Sequence, residues 1–319
     1  MTLPANTIQR HHHITLCVGT AQEDYDFHTK VLSLKSVKKT LIYDGANPFF
    51  HLYYGNDLGE ESTMITCFPV RHFGKKGQRG AGQIGTLSLS VPDSAIPFWA
   101  KRLSDHGFDV KRTERFGEQV LQFAHPCGVD YEMIGIADDA RKPYSNGEVP
   151  AELAIRGLHT IVVNVRAMEP SQEFMQDGWS AREVARDGKY ARYAYGDGGP
   201  GKFVDYALEP TMPQATWTYG EGIVHHCAFQ VAGHAVQDKV KANLEGMGFT
   251  DTSERKDRGY FESIYVRTPS GAMFEATVSK PEGFLIDEPY DKLGSEIQIA
   301  PQFESQRATI LQSLEPLKY

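Results

Sequence analysis

Two pairs of neighbouring histidines and one distant glutamate are the residues whose types could bind a metal. His12-His13 and His225-His226 each open a short apolar run, and Glu275 lies in a third run near the end of the chain. Two neutral imidazoles and one carboxylate suit a divalent transition metal, and the coordination positions that they leave open suit Fe(II) and oxygen chemistry. The pattern therefore predicts a metal centre on His13, His226 and Glu275.

The two histidines of each pair should lie on opposite faces of their strand, because successive strand residues point to opposite sides of a sheet. One face of each strand is strongly apolar and should pack against a helix. The other face has smaller, more polar residues and should line a cavity. Strict alternation puts His13 and His226 at equivalent positions on the cavity face, and puts His12 and His225 on the apolar face.

These strands belong to a unit that occurs four times along the chain. Each copy opens with an apolar strand that ends in valine, continues with a helical stretch and closes with strand-like runs; the opening strands are residues 13–18, 86–91, 160–165 and 226–231. The second and fourth copies also share an arginine, proline, glycine, aromatic residue and glutamate at equal offsets, from Arg115 to Glu132 and from Arg258 to Glu275. The repeat predicts an α+β fold of four βαβββ modules in two tandem domains.

The length of the chain and one polar segment set the expected domain boundaries. A chain of 319 residues suits about two domains. Residues 136–156 are rich in Asp, Pro, Ser, Asn and Gly, which suits an interdomain linker. We expect an N-terminal domain of two modules over residues 8–140, a C-terminal domain of two modules over 157–280, and a tail over 281–319 with a short helix at 305–314.

The second and third copies lack the histidines that a second metal site would need. The positions equivalent to His13 and His226 are Thr86 and Thr160 in those copies. Carboxylates remain, and we assign Glu132 and Glu209 to the position of Glu275. His159 aligns with His225 rather than with His226. We therefore expect one metal per chain, built from the first and fourth copies.

The composition excludes several classes of function. The net charge of −8 gives no attraction to a phosphate backbone, so we expect no nucleic-acid partner. The four cysteines are far apart without a Cys-x-x-Cys pair, so we expect free thiols in a reducing compartment. No signal peptide or membrane span is evident. We expect a cytoplasmic protein and leave homo-oligomerisation open.

Motifs in the first and fourth copies resemble a known family. They are HHIT at 12–15, LIYDG at 41–45, HLY at 51–53, EGIVHH at 221–226, RGYFES at 258–263, YVRTP at 265–269, MFEAT at 273–277 and PQF at 301–303. Together they resemble the ring-cleaving dioxygenases that act on hydroquinones and chlorohydroquinones, within the vicinal-oxygen-chelate superfamily. The resemblance covers essentially the whole chain and is weakest in the third copy.

This resemblance implies an extradiol-type dioxygenase that binds Fe(II) through His13, His226 and Glu275. It implies O2 as co-substrate and a small aromatic substrate, a hydroquinone or chlorinated hydroquinone. The catalytic residues that it implies around substrate and oxygen are His12, His225, Arg258 and Tyr265. The ligand types discriminate weakly between neighbouring divalent metals, so Mn(II) remains open.

Two other functions are compatible with the fold. A glyoxalase-type isomerase would need a fourth protein ligand, a carboxylate on the last strand of the first copy, but residues 63–68 contain none. A metal-free module that binds small molecules would not need the complete ligand set. Two further histidines, His51 and His159, are interpreted as structural residues of the core or of strand ends.

Overall fold

The computed structural model describes residues 3–43, 47–216 and 218–319. The chain forms four modules, each with one strand, one helix and three further strands. The first contains β1 (Ile8–Val18), α1 (Ala21–Asp26), β2 (Lys35–Ile42), β3 (Phe49–Gly55) and β4 (Met64–Pro69). The second contains β5 (Gln83–Pro92), α2 (Ile96–Asp105), β6 (Lys111–Arg115), β7 (Glu118–Ala124) and β8 (Asp130–Ile136).

The second half of the chain repeats this order. The third module contains β9 (Gly157–Val165), α3 (Glu169–Glu173), β10 (Arg182–Asp187), β11 (Tyr190–Ala194) and β12 (Phe203–Leu208). The fourth contains β13 (Ile223–Val231), α4 (His234–Gly246), β14 (Lys256–Asp257), β15 (Phe261–Arg267) and β16 (Met273–Ser279). The predicted α+β fold of four βαβββ modules is therefore confirmed. Asp44 and Gly45, from the motif at 41–45, lie outside the described residues.

The modules pair into two curled sheets of eight strands. The first and fourth modules form a sheet of order β14-β15-β16-β13-β1-β4-β3-β2, and the second and third form a sheet of order β10-β11-β12-β9-β5-β8-β7-β6. The antiparallel pair of β1 and β13 joins the halves of the first sheet, so the opening strands of the first and fourth modules are neighbours. The boundaries of the two tandem domains remain a prediction.

A β-bulge interrupts the pairing of β1 with β13 at each histidine pair. His11 faces Phe229 and His13 faces Ala228, so His12 is an extra residue in β1. The same displacement leaves His225 as an extra residue in β13. A bulge breaks the alternation of side chains and re-aims those beside it.

The apolar faces of both sheets pack on the helices and on each other. Ile14, Leu16, Phe229 and Phe274 are buried in one cluster that continues into the second sheet. The helix α1 begins at a capping Thr20, whose side chain accepts a hydrogen bond from the Glu23 N–H. This side-chain bond satisfies one of the amide groups that a helix leaves free at its start.

The tail lies along β2 and is fixed by two buried lysines. Lys38 forms an ion pair with Asp287 and with Glu288, and Lys39 donates to the Gly294 carbonyl. The tail ends in α5 (Arg307–Ser313), preceded by a 3₁₀ turn. The helix expected at 305–314 corresponds to α5 and the end of this turn, whereas the boundary of the tail stays a prediction.

Two expectations from composition can be compared with the described part of the chain. Its four cysteines are all free thiols, as expected. None of its helices has the length and apolar character that crossing a membrane requires.

Candidate active site

The side chains of His13, His226 and Glu275 come together on the inner face of the first sheet. The Nε2 atoms of the two histidines lie 3.2 Å apart. The Glu275 Oε2 atom lies 2.9 Å from His226 Nε2 and 4.0 Å from His13 Nε2. All three side chains are buried. The geometry thus brings the three predicted ligands to one point, although their ligand role remains a prediction.

Glu275 provides a test of whether this point fits a cation. Its Oε1 atom accepts a hydrogen bond from the Thr277 hydroxyl at 3.0 Å, whereas its buried Oε2 atom has no hydrogen-bond partner. A buried carboxylate oxygen without a partner is unfavourable unless a cation or a donor satisfies it. The free oxygen faces two imidazole nitrogens, so the donor set fits a divalent metal.

His13 and Glu275 have the protonation states that metal binding requires. Burial lowers the pKa of His13 well below its ordinary value, so the imidazole stays neutral. Burial acts to raise the pKa of Glu275, but His226 and His13 hold it well below its usual range. Neutral imidazole and ionised carboxylate are the forms that coordinate metals.

His13 and His226 are each held by the neighbouring histidine that the bulge turns toward it. The Nδ1 atoms of His12 and His13 lie 2.8 Å apart, and those of His225 and His226 lie 2.7 Å apart. The prediction that His12 and His225 lie on the apolar face is therefore wrong, because the two bulges break strict alternation at these residues.

The two bulge histidines have different surroundings. His12 Nε2 lies 2.9 Å from the Ser279 hydroxyl, which donates to Glu61 at 2.6 Å, and burial lowers the pKa of His12 to about 4. His225 instead lines the open cavity, and burial also lowers its pKa.

An unpredicted tyrosine fixes the ring of His225. Tyr219 stacks on it with ring centroids 3.9 Å apart and an interplanar angle of 15°. The Tyr219 hydroxyl accepts a hydrogen bond from Arg267 at 2.9 Å, and Phe68 meets His225 edge-on at 5.4 Å. Tyr219 lies in a loop, where strand register gives no information. Its position directly before Gly220-Glu221 also matches no sequence pattern that would indicate a site residue.

Arg258 and Tyr265, the other two predicted catalytic residues, interact with each other. The Arg258 guanidinium donates from Nε to the Tyr265 hydroxyl at 3.0 Å. Tyr265 is the cross-strand partner of Glu275, and its ring meets His226 edge-on at 5.9 Å. Burial raises the pKa of Tyr265, so the phenol remains protonated. Tyr265 thus lies beside the candidate metal ligands, and Arg258 is bonded to it and lines the same cavity.

His51 also belongs to the cavity, which the structural interpretation of this residue missed. Its Nε2 atom lies 3.1 Å from the Thr66 hydroxyl, and Thr66 lies 2.7 Å from Thr15. The Thr15 hydroxyl in turn lies 2.9 Å from His226 Nε2. The pairing of β3 with β4, which no local pattern predicts, connects His51 to the candidate metal site.

Comparison with known proteins decides the family. A chlorohydroquinone/hydroquinone 1,2-dioxygenase from Sphingobium indicum is 45% identical over 317 residues, which are 98% of this chain and 98% of that protein. The chain belongs to the ring-cleaving dioxygenases. A Bacillus subtilis protein assigned as a ring-cleaving dioxygenase is 32% identical over 307 residues, 96% of each chain. No family model matches the sequence.

Solved structures agree with this family assignment. A Bacillus subtilis protein assigned as a dioxygenase superposes on this dioxygenase with a TM-score of 0.90 and 31% identity, covering 98% of this chain and 99% of the other. Glyoxalase I from Zea mays superposes with a TM-score of 0.61 at 15% identity, covering 84% of this chain and 92% of that one. The latter likeness shows a shared fold alone.

The cavity of this dioxygenase has a volume of about 1360 Å³ and opens to solvent. His13, His225 and His226 lie at its inner end, with Tyr265 beside them. Aromatic and aliphatic side chains form most of its wall, and the tail contributes residues 286–287 and 298–302. His12 is not among the residues that line it.

The corresponding place in the second sheet is filled by ion pairs. Glu132 is bound by Arg115 at 2.6 Å and by Ser88 at 2.9 Å. Register assigns Asp205 to the position of Glu275, because Val162 pairs with Asp205 as Ala228 pairs with Glu275. The assignment of Glu209 to this position is therefore wrong. Glu209 follows the end of β12 and pairs with Lys189.

A second buried group lies between the first two modules. The Asp24 Oδ1 atom lies 3.3 Å from His28 Nδ1 and 3.2 Å from His125 Nε2, and Tyr54 donates to Oδ2 at 2.7 Å. The Cys127 N–H donates to His125 Nδ1 at 3.1 Å, which leaves the proton of the neutral ring on Nε2, facing Asp24. This proton assignment suits a hydrogen-bonded structural carboxylate rather than a metal site.

Proposed function

We propose that the chain is a non-haem Fe(II) dioxygenase that opens the ring of a hydroquinone, including chlorinated hydroquinones, with O2 as co-substrate. The observation that carries this proposal is the buried triad of His13, His226 and Glu275 in a chain 45% identical to a chlorohydroquinone/hydroquinone 1,2-dioxygenase. We further propose an extradiol type of cleavage, beside a ring hydroxyl group. Mn(II) is the alternative metal that the ligand types allow.

Iron bound by these ligands would lower the pKa of a substrate hydroxyl and bring the ring and O2 together. The three protein donors leave room for both small molecules. Thr66, not a carboxylate, occupies the position in the first module that Glu275 occupies in the fourth, because Thr15 pairs with Thr66 as Ala228 pairs with Glu275. Without a carboxylate at Thr66, one side of the metal would stay open to substrate and O2. This open side favours a dioxygenase over an isomerase with four protein ligands.

The protonation of each histidine pair follows from its contacts. A histidine that coordinates through Nε2 keeps its proton on Nδ1. His13 and His226 would then donate to Nδ1 of His12 and His225, leaving a proton on the Nε2 atom of each neighbour. For His12 that proton points to the Ser279 hydroxyl, which in turn donates a hydrogen bond to Glu61. His12 therefore acts as a positioning residue, because it does not line the cavity.

His225 is the histidine placed to exchange a proton with substrate. Its ring lines the cavity beside His226, and its Nδ1 atom is engaged by the ligand histidine. Its Nε2–H can donate a proton to a substrate oxygen that develops negative charge, and the nitrogen freed by that transfer can accept a proton from a hydroxyl group later in the reaction. We assign general acid–base catalysis to His225.

Arg258 and Tyr265 provide donors for developing negative charge. Tyr265 remains protonated and lies next to Glu275, and the Arg258 guanidinium is fixed through one nitrogen. Fixed donors of this kind stabilise oxygen anions in a transition state more than in the ground state. We therefore assign both residues to the stabilisation of oxygen anions during ring opening.

The test is oxygen uptake by protein loaded anaerobically with Fe(II), compared with protein loaded with Mn(II). Uptake that matches the loss of hydroquinone supports the proposal, and catechol and a hemithioacetal serve as alternative substrates. His13→Ala should lose metal and turnover together, while Thr86→Ala, the equivalent change in the second sheet, should lose neither. Full activity and iron content in His13→Ala would exclude this ligand assignment. Isomerisation of the hemithioacetal without oxygen uptake would favour the glyoxalase class.

A further inference from the structure

We propose that the cavity contains an apolar subsite for an alkyl substituent of several carbons on the substrate ring, an inference that rests on the ring-cleaving function proposed above. The subsite extends from the inner end of the cavity, beside His225, to its mouth at Phe73. The substrate class is therefore a hydroquinone with an extended apolar substituent, larger than a chlorinated single ring.

A continuous aromatic wall marks the course of this subsite. Phe68 contacts His225 with ring centroids 5.4 Å apart, Phe49 contacts Phe68 at 5.9 Å, and Phe73 contacts Phe49 at 5.4 Å. All four rings line the same cavity. The wall is longer than one aromatic ring, so a ring held beside His225 leaves Phe49 and Phe73 uncovered.

The mouth of the cavity exposes large apolar side chains. Phe73 is 43% exposed, Ile42 is 37% exposed and Ile286 is 51% exposed, and all three line the cavity. Grouped exposed apolar residues commonly mark a surface that a ligand covers. Ile286 comes from the tail, which the buried Lys38 fixes to β2.

The acidic groups of the wall are already paired within the protein. Asp257 forms an ion pair with Lys280 at 2.9 Å, and Asp287 forms one with Lys38 at 2.6 Å. Neither carboxylate is therefore free to select a cationic substituent. Apolar contact is the interaction that the outer part of the cavity offers most.

The size of the cavity agrees with this inference. Its volume of about 1360 Å³ exceeds the range of about 300–1000 Å³ typical of sites for small ligands. A hydroquinone alone would leave most of that space to water. An alkyl chain would cover the aromatic wall and gain affinity in proportion to the apolar area that it buries.

The experiment measures turnover of a series of monoalkyl hydroquinones, from methyl to hexyl, by Fe(II)-loaded protein. We expect kcat/KM to rise about threefold to fourfold for each added methylene, mainly through a lower KM. Values that stay flat or fall beyond methyl would overturn the inference. A carboxyalkyl hydroquinone of equal length is a further arm, and preference for it would overturn the inference in favour of a cationic subsite that includes Lys75.

Two tail variants form a matched pair for this test. Ile286→Ala should reduce the preference for hexyl over methyl hydroquinone by about threefold to tenfold. Leu285→Ala should leave this preference and the basal activity unchanged, because Leu285 is 46% exposed but does not line the cavity. Equal effects of the two changes would contradict the inference.

A binding measurement tests the apolar subsite independently of the proposed reaction. Calorimetric titration of the metal-loaded protein with 4-alkylphenols measures the subsite without turnover. Affinity that rises with chain length, in a protein that turns over no hydroquinone, would support the subsite and overturn the proposed reaction. Turnover of hydroquinone with no dependence of affinity on chain length would support the proposed reaction and overturn the subsite.

Discussion

The Nδ1 atoms of His12 and His13 lie 2.8 Å apart, although the two residues are consecutive in one strand. In a regular strand their side chains would point to opposite faces. The bulge at His12 instead turns both rings to one side, and the bulge at His225 does the same for His225 and His226. The two-fold likeness of the first and fourth modules therefore extends from the proposed ligands, His13 and His226, to the neighbouring histidines that would orient them.

Loss of the His12 ring should weaken metal binding without removing a ligand. We expect His12→Phe to reduce the affinity about 10-fold to 100-fold, as is usual when the partner of a metal-bound histidine is removed. His12→Asn should retain more affinity, because an amide oxygen can accept the proton on His13 Nδ1. Competition with a chelator measures both variants. An unchanged affinity in folded His12→Phe would refute the orienting role.

The stack of Tyr219 on His225 should affect kcat more than KM. Tyr219→Leu removes the flat surface that fixes the ring, and we expect kcat to fall about tenfold or more, because misplaced catalytic groups slow the reaction strongly. Tyr219→Phe keeps the stack and should restore kcat to within about threefold, although it loses the bond from Arg267. Steady-state kinetics with one hydroquinone substrate measure the changes in kcat and KM separately. A rise in KM alone, shared by both variants, would indicate a substrate contact instead.

Filling the position of Thr66 with a carboxylate should close the open side of the metal site. We expect Thr66→Glu to retain metal but to lower oxygen uptake by roughly tenfold or more, because a fourth protein ligand competes with substrate and O2. Thr66→Val is the control for loss of the hydroxyl and should keep most of the activity. Thr66→Glu that binds metal and consumes oxygen at the parent rate would contradict the proposed open position.

Asp24 should contribute strongly to stability. Asp24→Asn removes the carboxylate that the two imidazoles and the tyrosine hydroxyl face, and we expect a loss of about 1–3 kcal/mol in the free energy of unfolding because buried donors lose their acceptor. Asp26→Asn, two residues further along the same helix and partly exposed, should change it by about 0.5 kcal/mol or less. Urea unfolding of both variants gives the comparison. Equal losses would show that the buried network adds little.

The buried His159 should make stability depend on pH. Burial lowers its pKa in the folded chain, against the opposing effect of Glu118, whereas the unfolded chain has a pKa of about 6.5. The unfolded state therefore binds more protons below about pH 6.5, so the contribution of His159 is complete above that pH and is lost as the pH falls toward the folded pKa. His159→Gln should reduce the dependence of unfolding free energy on pH by up to about 1.4 kcal/mol per pH unit between pH 7 and 5. The exposed His106→Gln is the control, and equal slopes for both variants would contradict the expectation.

The sequence predicts the module order and the convergence of the triad because these depend on periodicity. His13 and His226 have the same register in two copies of one unit, so their meeting requires only that the copies pair symmetrically. Glu275 is placed by its offset within the repeat. These inferences need no knowledge of individual contacts.

The remaining features depend on which strands pair. A bulge such as that at His12 is visible only when the partner strand is known, so alternation assigned the wrong face. The carboxylate of the third module required the register of β12 with β9, which gives Asp205 instead of Glu209. His51 and Tyr219 reach the cavity through sheet neighbours and a loop, neither of which has a local signature.

The pairing of β1 with β13 also constrains the order in which the polypeptide can fold. His13 and His226 are separated by 213 positions in the chain, so β1 leaves the ribosome long before its partner has been synthesised. Contacts between distant segments slow folding, and β1, paired with β4 on one side only, is prone to aggregate through its open edge until β13 is made. The open edge of β1 therefore persists until the fourth module emerges. A circular permutant that begins at the second module and joins the fourth to the first would shorten this interval and should fold with less aggregation.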